Sequence, residues 1–160
     1  MRHFFLSLLS ACAGGAEQKQ ADLSAFAKTL QEKHEFAAYL GEADPENEYD
    51  KELFHNTMPG LLELDLAQRI NLVGMITLNN GEIGLVQVKN IEDVAKVKES
   101  FQARIDYMAG DEDEIGGAFY PGSIELWTNH SRIVDHGGYV MLVVADNCDE
   151  IVGEFEALFA

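Results

Sequence analysis

Apolar positions recur along this chain in two rhythms, one helical and one extended, and the switches between them mark its elements. Leu23, Phe26, Leu30 and Ala37 fall mostly at helical spacing with charges between them, which predicts a helix over residues 22–40. Residues 72–78 and 83–88 are β-rich runs joined through Asn79, Asn80 and Gly81, and Asn-Gly favours the positive φ angles of a tight hairpin turn. Asn90 then stands where a helix begins, with a core stripe of Ile91, Val94, Val97, Phe101, Ile105 and Met108 and with Asp93 placed for a capping box. A second hairpin is expected from the runs 131–135 and 139–145, which flank His136, Gly137 and Gly138. Asp146 or Asn147 is positioned to cap a last helix carrying Ile151, Val152, Phe155, Leu158 and Phe159 on one side.

The resulting order is β-β-α-β-β-α after an N-terminal helix. Each hairpin and each helix has an apolar side to bury, so the expected fold is α+β, a two-layer sandwich. In it a four-stranded antiparallel sheet carries helices on one face. Between these elements, residues 41–50 and the Pro59-Gly60 step read as acidic, irregular connections. Residues 109–130 form a long link that opens with Asp111, Glu112, Asp113 and Glu114, a length at which loops are functional or loosely ordered.

Ahead of this pattern stands a different one. Arg2 precedes a short apolar run over residues 4–9, and Ser10 and Ala11 lead into Cys12. A positive start, an apolar segment and small residues before a cysteine make up an export signal that ends in a lipid-attachment site. The run is too short to span a bilayer, which takes roughly 20 residues. The expected organisation is a signal peptide over 1–11, a lipid-attached tether over 12–21 and a single domain over 22–160. The competing assignment is an amphipathic N-terminal helix of a cytosolic protein, supported by the short apolar run and the single positive charge. Against it, Phe4, Phe5, Leu6, Leu8 and Leu9 cluster without helical spacing.

Composition narrows the partners. With 28 acidic and 11 basic residues the formal charge is -17, which repels phosphate backbones and anionic headgroups. Nucleic acid is not an expected partner, and membrane contact falls to the lipid on Cys12. The only cysteines are Cys12 and Cys148, too few for a disulfide framework or a four-cysteine zinc site. A Cys12–Cys148 disulfide is the alternative to lipidation.

Residues 83–88 with Lys89, the segment Phe101-Gln102-Ala103-Arg104-Ile105, the step Phe119-Tyr120-Pro121 and the strand opening Gly138-Tyr139-Val140 together resemble a family of small bacterial lipoproteins. That family is chiefly Gram-positive and known only as a domain of unknown function. The resemblance covers roughly two-thirds of the chain, from about Phe54 onward. It implies an extracytoplasmic, lipid-anchored protein at the cell membrane and brings no reaction with it.

Candidate chemistry is sparse. Asp135 and His136, with His130 six residues earlier and Ser123 and Ser131 nearby, are the one acid-base grouping in the sequence, and they give an envelope hydrolase as the alternative function. They lack the ligand spacing of a zinc site and the strand-turn-helix elbow of a serine hydrolase. His34 and His55 are scattered and expected on polar surfaces. Cys148 stands at a helix start, a place where a thiol pKa is sometimes lowered. The acidic runs 44–50 and 111–114 lack the glycine of a calcium-binding loop. Asn129-His130-Ser131 is a formal glycosylation sequon that carries little weight in a bacterium. Arg104, Tyr120 and Trp127 remain as a candidate shallow site for a glycan or peptide, against the favoured alternative that Tyr120 and Trp127 close one end of the core while Arg104 holds an acidic neighbour. The expectation is a binding or accessory module with no metal, cofactor or catalytic residues, and a structural subunit of an envelope complex is the third reading.

Overall fold

The computed structural model describes residues 19–34, 36, 38–42, 46–73, 81–111 and 116–160. Five strands form one antiparallel sheet: β1 (Ala38–Glu42), β2 (Leu66–Val73), β3 (Glu82–Val88), β4 (Ser131–His136) and β5 (Tyr139–Val144). Their spatial order is β1-β2-β3-β5-β4, so β3 lies at the centre and β1 and β4 at the edges. The α+β class, the antiparallel pairing and the β-β-α-β-β-α order are as the sequence led us to expect. The described helices are α1 (Leu23–His34), α2 (Glu48–Thr57), α3 (Val94–Ala109), α4 (Pro121–Asn129) and α5 (Cys148–Ala157). None of them is long and apolar enough to cross a membrane.

The layering differs from expectation, and the central strands give the reason. β5 is buried at all six positions, and β3 at every position but Gln87. A strand alternates its side chains between faces, so unbroken burial requires cover on both. One face packs Ile70, Leu72, Ile83, Leu85, Tyr139, Met141 and Val143 against Leu23, Phe26 and Leu30 of α1 and Ile151 and Phe155 of α5. The other packs Val86, Val88, Val140, Leu142 and Val144 against Val97, Phe101 and Ile105 of α3, and Leu126 and Trp127 of α4. Helices therefore cover both faces of the sheet rather than one.

Several boundaries also shift. The first helix stops at His34, and residues expected to continue it supply β1, which pairs with β2. β2 begins earlier than expected and runs alongside β3 from Leu66↔Val88 to Val73↔Glu82. The rest of the expected first strand and the Asn79-Asn80 turn lie outside the described residues. The second hairpin closes in register at His136↔Tyr139, with Gly137 at φ 55° where a side chain is strained. Two stretches expected to be irregular contain helices: α2 follows the acidic connection, and α4 starts with Pro121 in its first turn, where a missing N–H costs nothing.

Capping differs too. The helix after Asn90 opens as a 3₁₀ turn without a side-chain cap, and Asp93 spends its carboxylate on Lys96 at 2.8 Å. That hydrogen bond holds the Asp93 pKa below the usual carboxylate range, against the pull of burial.

Because each face carries its own helices, neighbouring residues of β5 serve separate cores. Met141→Ala and Leu142→Ala are each expected to cost about 2–5 kcal/mol in urea denaturation, the range for large-to-small core changes. A sheet covered on one face only would tolerate one of the two at less than about 1 kcal/mol.

Candidate functional site

Glu82 begins β3 on the face covered by α3 and α4, and it is only 2% exposed. A carboxylate there needs a partner, since an isolated buried charge is far costlier than a paired one. Arg104, on the middle of α3, supplies it: Nη2 donates to Glu82 Oε2 at 2.7 Å and Nε to the same oxygen at 3.1 Å. The guanidinium also lies over the Trp127 ring, 5.3 Å from its centre. Trp127 is itself wholly buried. Arg104 and Trp127 are thus brought together as an internal tie between β3, α3 and α4.

Tyr120 stands apart from that tie, half exposed at the N-terminal end of α4. Its ring meets that of Phe119 edge-on at 6.1 Å, and Phe119 is 71% exposed. Phe119 also has a φ of 63°, the left-handed region that bulky residues avoid. The segment that holds it there is clamped to the end of α3. Gly117 N–H donates to the Tyr107 carbonyl at 2.8 Å and Ala118 N–H to that of Met108 at 3.1 Å. Both bonds satisfy carbonyls that the helix end leaves open. A side chain on Gly116 would collide with the Met108 carbonyl, and one on Gly117 with the Tyr107 ring. The exposed Phe119–Tyr120 pair, with the exposed Tyr107 ring beside Gly117 of the same clamp, makes an aromatic ledge.

The acid-base grouping does not assemble. Asp135 reaches Lys98 of α3 at 2.6 Å, while the next residue, His136, stacks on Phe159 at 4.2 Å on the α5 side. Successive strand residues point to opposite faces, so the sheet separates them. Ser123 is fully buried within α4, and His130 ends that helix with its carbonyl accepting from Ala145 N–H. Cys148 is a free, buried thiol, and burial pushes its pKa up rather than down. Cys12, the start of the acidic run 44–50, and residues 112–115 lie outside the described residues.

One grouping was not legible in the sequence. His34 is not on a polar surface: its side chain is 6% exposed, in the seam between α1 and α5. Nε2 lies 3.1 Å from Glu154 Oε1, and Nδ1 lies 3.0 Å from the Asn147 amide, which also donates to Glu150 Oε2 at 3.3 Å. Lys33 Nζ joins Glu154 Oε1 at 3.1 Å. Burial would raise the Glu154 pKa, but the bonds from Lys33 and His34 outweigh it and leave it lowered. Ionised Glu154 thus favours the fold at neutral pH, and that contribution fades as pH falls through the carboxylate range. His34, Glu150 and Glu154 offer ligand atoms that all lie within 4.8 Å of one another. His34 stands more than 110 residues in sequence from Asn147 and Glu154, so no local spacing signals the grouping.

No protein-family model, no curated protein and no solved structure matches this chain.

The Glu82–Arg104 pair yields a direct test. Arg104→Ala leaves a buried carboxylate unpaired and is expected to cost about 3–5 kcal/mol. Tyr120→Ala, at an exposed ring, is expected to change stability by less than about 0.5 kcal/mol. Chemical denaturation of the two variants checks the contrast.

Proposed function

We propose that this protein is exported, held at the outer face of a bacterial cell membrane by lipid on Cys12, and active there as a binding module through its aromatic ledge. The observation that carries the reading is the leader: Arg2, the apolar run 4–9, then Ser10, Ala11 and Cys12. The resemblance to small bacterial lipoproteins belongs to the same proposal.

The way the chain enters the domain supports this reading. Gln20 Oε1 accepts hydrogen bonds from the Tyr139 hydroxyl at 3.1 Å and Gln87 Nε2 at 3.3 Å. Ala21 is held at both backbone groups, its N–H by the Tyr139 hydroxyl and its carbonyl by Gln68. Lys19 Nζ reaches the Ala160 carbonyl at 3.0 Å. Only residues 13–18 separate Cys12 from this seat, a reach of at most about 25 Å at roughly 3.5 Å per residue.

The seat lies at the Gln87 end of β3, whereas the ledge follows Arg104 at the Glu82 end. Those positions are about 17 Å apart along the strand at roughly 3.4 Å per residue. The chain therefore enters the domain at the end opposite the ledge. Exposed aromatic rings offer a large apolar face at little conformational cost, which suits a peptide or a sugar ring. The charge of -17 selects against anionic partners. The hydrolase alternative has less support, since Asp135 and His136 face opposite ways. An accessory subunit of an envelope complex is the same reading with a protein as the partner.

Expression of the full gene beside a Cys12→Ala version tests the anchor. The wild type is expected in the membrane fraction with incorporated fatty-acid label, and the variant without label and released from membranes. A wild-type protein that stays in the cytoplasm unlabelled sinks the proposal.

A further inference from the structure

We infer that His34, Glu150 and Glu154 form a binding site for a divalent transition metal ion of the zinc type. The site is independent of the lipid anchor and is built by packing α1 on α5.

The donor set is one imidazole nitrogen and two carboxylates, which suits a borderline ion such as Zn²⁺ better than calcium or magnesium, whose ligands are oxygens. Glu150 and Glu154 are one turn apart on α5 and share a face of the helix. His34 comes from the last turn of α1, held in the seam. Ligands at about 2.0–2.2 Å from a tetrahedral ion stand roughly 3.4 Å from one another. His34 Nε2 and Glu154 Oε1 already lie 3.1 Å apart, and the full set falls within 4.8 Å. Small side-chain rotations close the remainder.

The surroundings fit a ligand set. Both ion-pair contacts of Glu154 fall on Oε1, so an ion held between Oε1 and His34 Nε2 would take over the place of the Lys33 ammonium. Lys33 is 57% exposed on a flexible stem and can withdraw when a cation takes its place. Asn147 touches two of the three residues. It occupies the N-cap position of α5, where its side chain ordinarily caps the helix, yet it makes no cap hydrogen bond. Its amide is turned to His34 Nδ1 instead. With metal on Nε2 the imidazole carries its proton on Nδ1, and the Asn147 amide oxygen accepts it once the amide flips, which requires Glu150 Oε2, now 3.3 Å from the amide nitrogen, to turn to the ion. A hydrogen bond of that kind fixes the ring orientation and tautomer in metal sites. Three protein ligands leave the ion with at least one position for water or a small molecule.

The test is equilibrium dialysis and thermal unfolding of the full-length chain with Zn²⁺, beside Glu150→Gln, Glu154→Gln and His136→Ala. Glu150 is exposed, so Glu150→Gln is expected to fold normally and to separate lost binding from lost structure. The wild type and His136→Ala are expected to bind one Zn²⁺ per chain and to melt at higher temperature with the metal, with no such shift from Mg²⁺ or Ca²⁺. Both glutamine variants are expected to lose at least tenfold in affinity, together with the shift. The inference is overturned by the absence of saturable binding below millimolar Zn²⁺, or by binding that survives unchanged in both glutamine variants.

Discussion

The constraint on which this structure depends is the burial of β3 and β5 on both faces. Two adjacent strands with almost no exposed position cannot be satisfied by a single layer of helices. The chain answers with two sets, α1 and α5 on one side and α3 and α4 on the other, fed by alternate residues of the same strands. The one charge admitted to these strands, Glu82, has a matching consequence. It requires Arg104, and Arg104 in turn rests on Trp127, so a single ion pair with one aromatic contact joins β3, α3 and α4. Such a pair adds little net stability over an apolar substitute, but removing either partner is costly, which makes it a device for fixing register.

That arrangement sets the places left for function. On one side, Gly117 and Ala118 are hydrogen-bonded over the end of α3, and Phe119 is held in a left-handed conformation with its ring exposed. On the other, α1 and α5 meet along a seam whose polar edge holds His34 against Glu154 and Asn147. The chain enters the domain at a third place, the Gln68, Gln87 and Tyr139 cluster around Gln20 and Ala21. The ledge lies at the far end from that entry, and the α1–α5 seam runs along one flank.

Much of the fold was legible because the signals were local. The stripe from Val94 to Met108 gave α3, and the Gly137-Gly138 turn gave the β4–β5 hairpin. The run Val140-Met141-Leu142-Val143-Val144 was also informative, since an unbroken apolar strand signals burial on both faces. Treating each hairpin as having one apolar side concealed this. α4 was hidden because Pro121 and Gly122 look like turn residues, although Pro at a helix start together with Ser123, Leu126 and Trp127 at helical spacing describes a buried helix. The sites were less legible. Arg104 and Trp127 stood out by type, but no local pattern names the acidic partner of Arg104, which is Glu82, 22 residues away. His34 acquires its meaning only from residues that the fold delivers from the opposite end of the chain.

Native-state hydrogen exchange tests the central claim most directly. If β3 and β5 are buried on both faces, their amides are the slowest in the molecule and exchange only through global unfolding, while those of the edge strand β4 open by smaller fluctuations. Amides of β5 that exchange as fast as those of β4 would contradict a sheet covered on both sides.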